Sequence, residues 1–449
     1  MKFIKKRLDK QSKTLIKNSS WIFLSNSLGT ALGFVRSVVI ARCLGVHLFG
    51  IYSLTIAFVA LVIEYLNLNM GSAVIRFGAI YKFENRIDKF TALLKATIKI
   101  NLLMALITVA IVSVFSFQFY ADVYKTPGLE WFTILFAAAS TSRYFNSVSM
   151  GMLRMFYKFK LNAIITIIMD LIETVIIVLA LIFYPRNLGV FFSAVIVTRF
   201  LNGMICNFMA FYEIKKDLLP YRFAPYSVIK PDVKQLREFV ISTSISGSLK
   251  TTIAQGDTVL LGSLISATAV GFYSVAKKLG YAVFVLTDPL SSSIYPQLSK
   301  LLAEKRYPEV KKMLRKITTL SLFPAIILLT VLFFLKDWIV ISLYGKSFAE
   351  SAMPFFFFLV SAVLGAMTFW TLPLIQSLGL ASMRLKIYIV TIITGIAFAF
   401  WLVPLFQSTG MAIAALITNV LNMVLFIWFS FRKIRTEELK SALEINPAG

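Results

Sequence analysis

The sequence predicts an all-α integral membrane protein of about 12 transmembrane helices in two pseudo-symmetric six-helix bundles, with both termini cytoplasmic. Three observations carry this expectation. Hydrophobic residues make up 58% of the 449 and charged residues only 15%, far outside the range of ordinary soluble domains. Apolar runs close to the roughly 20 residues that a helix needs to cross a hydrocarbon core recur along the whole chain. The lysines and arginines fall between those runs, concentrated on alternate sides, which is the pattern that sets membrane topology. A net charge of +25 would suit a nucleic acid, but the cations form no single basic face, so the expected surroundings are a lipid bilayer and no nucleic-acid partner is expected.

Taken in order, the chain opens with a basic cytoplasmic tail, 1–17. The apolar run behind it has full span length and lacks the short core and small-residue cleavage site of a signal peptide, so it is expected to stay as the first helix. "NSS" at Asn18 is read as the start of that helix, capped by Ser19 or Ser20. The first bundle, 18–213, holds spans at 18–42, 48–72, 96–119, 130–152, 161–184 and 188–212. The fourth contains "ASTSRYFNSVS", Ala139 to Ser149, which is polar for lipid contact, yet removing it would spoil the charge alternation that follows. A cytoplasmic linker, 214–237, lies within the longest internal connection, Glu213 to Glu238, which has three prolines. The second bundle, 238–431, holds spans at 238–264, 268–296, 316–335, 351–376, 386–405 and 409–431, and a cytoplasmic tail, 432–449, ends the chain.

With the N-terminus inside, that side carries 34 lysines and arginines, and the other side only Arg42, Lys125, Arg186, Lys336 and Lys346. Such a bias places both termini in the cytoplasm and requires an even number of crossings. Trp131, Trp338 and Trp428 lie near span ends, as interfacial aromatics do.

An internal repeat supports the division into halves. A shift of 221 residues brings "VHLFGIYSL", Val46 to Leu54, onto "ATAVGFYSV", Ala267 to Val275, with Gly50, Tyr52 and Ser53 over Gly271, Tyr273 and Ser274. The same shift superposes the start of span two on that of span eight. Six spans per half make corresponding spans run the same way, a parallel repeat about an axis along the membrane normal.

Charges inside spans are the main functional clues, because each costs roughly 2.5–3.5 kcal/mol at the bilayer centre and must face an interior, a wet cavity or a partner. The shift sets Arg36 of span one over Asp257 of span seven, which reads either as a salt bridge across a cleft or as two unrelated lining groups. Lys250 and Asp257 share a face of span seven with Thr243 and Ser246. Lys277 and Asp288, eleven apart, share a face of span eight. Lys278 coincides with Ala57, which shares a face with Glu64, so Glu64 and Lys278 would enter one cavity from opposite sides. Asp170 and Glu173, at i and i+3 in span five, form an acidic pair with Arg143 and Arg199 on flanking spans as candidate partners. Against these stands the plainer reading that such groups hold helices together or snorkel to the interface; it suits Arg76 best, is even for Arg143, Arg199 and Glu64, and suits Lys278 and Asp257 least.

The sequence also excludes several chemistries. The single histidine, His47, sits on a short exterior turn, and Cys43 and Cys206 both lie in apolar surroundings, so no metal site, catalytic site or disulfide framework can be argued. "YGKSF", Tyr344 to Phe348, contains Gly-Lys-Ser, but the glycine that a phosphate-binding loop needs five residues earlier is Val340. No extramembrane segment is long enough for a nucleotide-hydrolysing or sugar-transfer domain. The chain is therefore not expected to be an enzyme or to need a cofactor.

The run from Lys17 to Phe77 resembles the N-terminal signature of polysaccharide biosynthesis proteins, the Wzx-type flippases of the multidrug/oligosaccharidyl-lipid/polysaccharide exporter superfamily. An "AR-x-LG-x-x-x-FG-x-YS" turn joins spans one and two, here Ala41 to Ser53, and a small-residue stretch followed by arginine ends span two, here Gly71 to Arg76. The second half carries an Asp in span seven followed by "G-x-Y-x-x-A-x-K", here Asp257 and Gly271 to Lys278. The resemblance implies a MATE-like, V-shaped pair of bundles around a cavity that opens alternately to each side. It also implies movement of an undecaprenyl-pyrophosphate-linked oligosaccharide from the cytoplasmic to the outer leaflet of the plasma (inner) membrane, for O-antigen, capsule or exopolysaccharide biosynthesis. A polysaccharide polymerase or export machinery would be the protein partner. A diphosphate headgroup needs cations, and Arg36, Lys250, Lys277 and Lys278, with Arg143 and Arg199, are the candidates. Asp257, Glu64, Asp170, Glu173 and Asp288 are candidates for gating or for binding a coupling proton or sodium ion. Competing readings are a cation-coupled multidrug antiporter of the same superfamily, which would favour an acidic aromatic cavity, and a membrane polymerase or glycosyltransferase, which should carry a large exterior loop.

Overall fold

The computed structural model describes residues 2–119, 129–218, 224–282 and 288–445. These residues are almost entirely helical and contain no strand. The chain divides into two compact units, one of Met1–Gly45 and Thr55–Thr251, the other of Val46–Leu54 and Thr252–Gly449.

The first unit is built from most of α1 (Lys2–Leu66), from α2 (Met70–Phe83), α3 (Ile87–Phe119), α4 (Leu129–Ser140), α5 (Ser142–Met155), α6 (Phe159–Phe183) and α7 (Leu188–Leu218), and from the first part of α8 (Val233–Leu264). A 3-10 turn, Tyr226–Asp232, leads into α8. The second unit takes the middle of α1 and the end of α8. It continues with α9 (Ala267–Tyr281), α10 (Asp288–Ala303), α11 (Tyr307–Tyr344), α12 (Ala352–Met367), α13 (Thr371–Ser377) and α14 (Ala381–Ile445).

Among the described residues seven stretches, Ser20–Phe83, Tyr307–Tyr344 and Ser382–Leu439 among them, are long and apolar enough to cross a membrane by length and composition. Their outer faces explain why. On α11, Leu320, Phe323 and Phe334 are each more than 70% exposed, a surface that water would penalise and lipid would not.

Breaks in the helices occur where the sequence permits them. The path of α1 is interrupted at Gly45 (φ 77°), which adopts a backbone that L side chains rarely take. The second predicted span is interrupted at Asn67–Asn69, where Asn69 sits in the left-handed region; its amide donates to the Asn67 side chain at 2.9 Å and its own side chain accepts from Ser72 at 2.9 Å. The fourth is divided at Thr141, between α4 and α5. One expectation fails outright: Asn18 to Ser20 do not start a helix, because α1 begins at Lys2 and runs through them. The basic residues of the tail are compatible with helix, so no local signal ends it there.

The core of the first unit gathers Phe77, Tyr81, Phe90 and Leu93 with Leu236 and Val240, which ties α2 and α3 to the start of α8. Arg76, expected to be structural, lies with its guanidinium 4.7 Å from the Phe239 ring, a cation-π contact. A second cluster joins α5, α6 and α7 through Leu153, Met169 and Cys206. In the second unit Leu298, Leu314, Trp370 and Ile434 join α10, α11, α13 and α14.

The repeated sequence has a structural cause. Its two copies, Val46–Leu54 of α1 and the first half of α9, pack against each other inside the second unit. A Cβ at Gly50 would run into the carbonyl oxygen of Ala267, and a Cβ at Gly271 would run into that of Val46. The pairs are equivalent under the 221-residue shift, and so are His47 and Thr268, whose side chains meet at 3.1 Å. Only glycine lets two helix backbones approach this closely.

Candidate binding sites

In the first unit, buried charge converges on α6. Asp170 and Glu173 are one turn apart and both face α1: the Asp170 carboxylate lies 2.7 Å from where a Cβ on Gly29 would be, and Arg36 Nη1 stands 3.1 Å from Glu173 Oε2. Arg199 of α7 reaches the other oxygen, Nη2 to Oε1 at 3.6 Å. Glu173 is buried and shared between two guanidinium groups. Neither cation is saturated, since Arg36 Nη1 and Arg199 Nε are buried without a hydrogen bond among the described residues. Arg143 of α5 has no carboxylate within 4 Å among the described residues. Arg36 and Arg199 thus share one buried carboxylate while Arg143 meets none within 4 Å among the described residues, and each keeps fork-shaped donor capacity that suits a phosphate.

The polar stretch that made the fourth span doubtful lies against α7 rather than lipid. Asn146 and Asn202 meet at 3.1 Å, Asn207 donates to Asn146 at 2.9 Å, and Ser149 donates to Asn207 at 2.5 Å. Burying amides against one another removes the cost of exposing them to hydrocarbon. Glu64, near the end of α1, packs its carboxylate 2.6 Å from where a Cβ on Gly247 of α8 would lie, while its backbone carbonyl accepts from Ser248. Lys250 is exposed on α8, with no carboxylate within 4 Å among the described residues.

The second unit holds a closed charge pair. Asp257 of α8 accepts from Lys277 Nζ at 2.7 and 2.8 Å, from the Tyr273 hydroxyl at 2.5 Å, and from the amide and hydroxyl of Thr258. Lys277 also donates to the Ala254 carbonyl at 2.7 Å. Lys278 is exposed on the adjoining face of α9. Of Asp288 only the backbone is described, at the start of α10, so its expected alignment with Lys277 lies outside the described side chains; Lys125 likewise falls outside the described residues.

Arg36 and Asp257 are each answered within their own unit, Arg36 by Glu173 and Asp257 by Lys277. One expectation is corrected by these contacts. Arg143 is not a partner of the acidic pair; Arg36 takes that place because Glu173 turns toward α1. Sequence reasoning missed Tyr273 as a donor to Asp257. The signal was present, since Tyr273 and Lys277 are four apart and share one face of α9.

The sequence family described as "Polysaccharide biosynthesis protein" matches residues 15–302. The chain belongs to this family. No functionally curated protein matches it. Solved structures of the same fold include an inward-facing multidrug resistance MATE family transporter of the MOP superfamily, with a TM-score of 0.68, 13% identity and coverage of 94% of this chain and 96% of that one. The lipid II flippase MurJ in an inward closed conformation gives a TM-score of 0.67 at 14% identity, covering 95% and 91%. The bent form of the Vibrio cholerae MATE transporter VcmN gives 0.56 at 12% identity, covering 96% and 98%. At such identities the likeness concerns the fold, and the neighbours are transporters and a flippase rather than enzymes. This polysaccharide biosynthesis family member is a multi-pass membrane protein with that fold.

Proposed function

We propose that the chain is a flippase that carries an undecaprenyl-pyrophosphate-linked oligosaccharide from the cytoplasmic to the outer leaflet of the plasma membrane, in O-antigen, capsule or exopolysaccharide biosynthesis. The observation that carries the reading is the arginine cluster of the first unit: Arg36 and Arg199 share Glu173, with Arg143 unpaired among the described residues. A diphosphate offers several oxygens to such under-satisfied guanidinium groups, and no bond in it has to break. Family membership supports the glycan, and the lysine-rich side supports twelve crossings with both termini in the cytoplasm. Lys250 and Lys278, both exposed, extend the basic set. Asp170 and Glu64 are the carboxylates to which a coupling proton or sodium ion is assigned, with a polymerase or export complex receiving the product.

The test is transport in proteoliposomes that contain purified protein and a labelled undecaprenyl-diphosphate oligosaccharide, read as the fraction of label reachable from outside. Arg143→Gln should slow the protein-dependent rate by about tenfold, the loss of one charge-assisted contact. Equal rates with and without protein, together with protein-dependent uptake of a lipophilic cation such as ethidium, would replace this reading with the multidrug antiporter.

A further inference from the structure

The second unit contains a cavity of about 260 Å³ that none of the described charged candidates lines. It lies between α12 and α14, and its walls include Ser361, Thr368, Phe369, Asn419, Asn422 and Phe426. Two helix faces build it. Ser361 and Thr368 are seven apart on α12 and its C-cap, and Asn419, Asn422 and Phe426 follow one face of α14. Asn419 Nδ2 donates to Ser361 Oγ at 2.8 Å, which fixes the two walls together. Between α12 and α13 the chain leaves the helix at Thr368–Trp370, and this irregular backbone lines the cavity, with Ser291 donating to the Phe369 carbonyl at 3.2 Å. In a bilayer, non-helical backbone is tolerated where it is packed within protein or lines a cavity that water can enter.

Asn422 adds the decisive detail. Its Oδ1 is buried and has no hydrogen-bond partner among the described residues. A buried amide oxygen without a donor is a place where a ligand hydroxyl can bind.

We propose that this cavity holds one neutral sugar ring, a reading that rests on the flippase function proposed above and assigns it a glycan subsite. Among the described residues no charged side chain lines the space, so none of them offers a cation to the diphosphate. A bare cation would leave most of the volume vacant. Amides and hydroxyls that both give and accept hydrogen bonds, beside the rings of Phe369 and Phe426, match a hydroxylated ring with apolar faces. The volume falls just under the range of roughly 300–1,000 Å³ usual for drug-sized ligands, which suits a single ring rather than an oligosaccharide.

Saturation-transfer NMR on the full chain in detergent, with D-glucose, D-galactose, N-acetylglucosamine and N-acetylgalactosamine as separate probes and sodium and choline chloride as competitors, tests the assignment. At least one sugar should receive saturation, and its affinity should fall about tenfold in Asn422→Leu and in Thr368→Val. Asn422→Gln and Thr368→Ser, which keep the polar groups, should retain most of the signal, separating lost recognition from lost fold. Saturation of no sugar, equal saturation in both apolar variants, or displacement by sodium or choline would overturn the proposal. The two readings also fail separately: sugar binding without diphosphate-lipid transport sinks the flippase and leaves the pocket, and transport without sugar binding does the reverse.

Discussion

The two units treat charge inside their helices in opposite ways. In the second, Asp257 accepts from Lys277 through both oxygens and from Tyr273 and Thr258 besides, so the pair is closed. In the first, Glu173 divides itself between Arg36 and Arg199, two guanidinium nitrogens are left without a bond, and Arg143 has no carboxylate in reach among the described residues. A closed pair has little left to offer an anion, whereas an under-satisfied cluster keeps most of its donors. The repeat therefore copies the scaffold and not the chemistry. Arg36 and Asp257, equivalent by sequence shift, belong to one open and one closed arrangement.

The largest expected effect breaks the closed pair. Asp257→Ala leaves the Lys277 ammonium and the Tyr273 hydroxyl without their acceptor, and removing one partner of this mostly buried pair, whose side chains are 13% and 17% exposed, costs up to about 3–5 kcal/mol. The double variant Asp257→Asn with Lys277→Met should cost far less, because neither charge is then stranded. Denaturant or thermal unfolding in detergent compares them; if the single variant unfolds where the parent does, the pair is not holding α8 to α9. Next comes the crossing of the repeat copies. Gly50→Ala forces a methyl against the Ala267 carbonyl and should cost about 1–3 kcal/mol by overpacking. Gly33→Ala, where nothing lies within 4 Å, should be neutral or gain up to about 1 kcal/mol.

Much of the fold was legible because hydrocarbon imposes one rule, that apolar runs be helical, and the chain obeys it repeatedly. The turn "FGIYS" and its counterpart "VGFYS" were also readable as a repeat, though not as copies that touch; that required seeing Ala267 against Gly50. The helix breaks were legible in part: Gly45 and the Asn67–Asn69 run announce themselves, while Thr141 does not, since threonine is tolerated inside helices. Of the site, residue identities were legible and pairings were not. Helical spacing reports which residues share a face, but Arg36 meets Glu173 through the packing of α1 on α6, which no periodicity encodes. The Asn422 cavity was invisible for the same reason, because Asn419 and Asn422 in an otherwise apolar run carry no sign that one of their oxygens lacks a donor.

Smaller effects sharpen the contrast within the open cluster. Arg36→Gln withdraws a cation 3.1 Å from buried Glu173 and should destabilise the first unit by about 1–3 kcal/mol. Arg143→Gln removes a guanidinium that neutralises no carboxylate within 4 Å among the described residues and should change stability by less than about 0.5 kcal/mol, whatever its effect on the proposed transport. Unfolding curves of the two variants side by side would reverse the assignment if Arg143→Gln proved the more damaging.

The smallest effect concerns the entry to α8. Asp232, at the end of the 3-10 turn, accepts from Lys89 and from Tyr81, each at 2.8 Å. Burial alone would raise its carboxyl, but the hydrogen bonds from Lys89 and Tyr81 outweigh it and hold the group below its ordinary value of 3.8. A carboxylate depressed by folding stabilises the folded state fully above its ordinary value, and that contribution fades as pH falls from about there through the lowered one. Amide hydrogen exchange across residues 224–232 should therefore keep its protection from neutral pH to about pH 5 and lose it below 4, once the intrinsic exchange rate is corrected for pH. Asp232→Asn, which has no charge to lose, should flatten that profile; a variant that keeps the acid-dependent loss would place its origin elsewhere in the first unit.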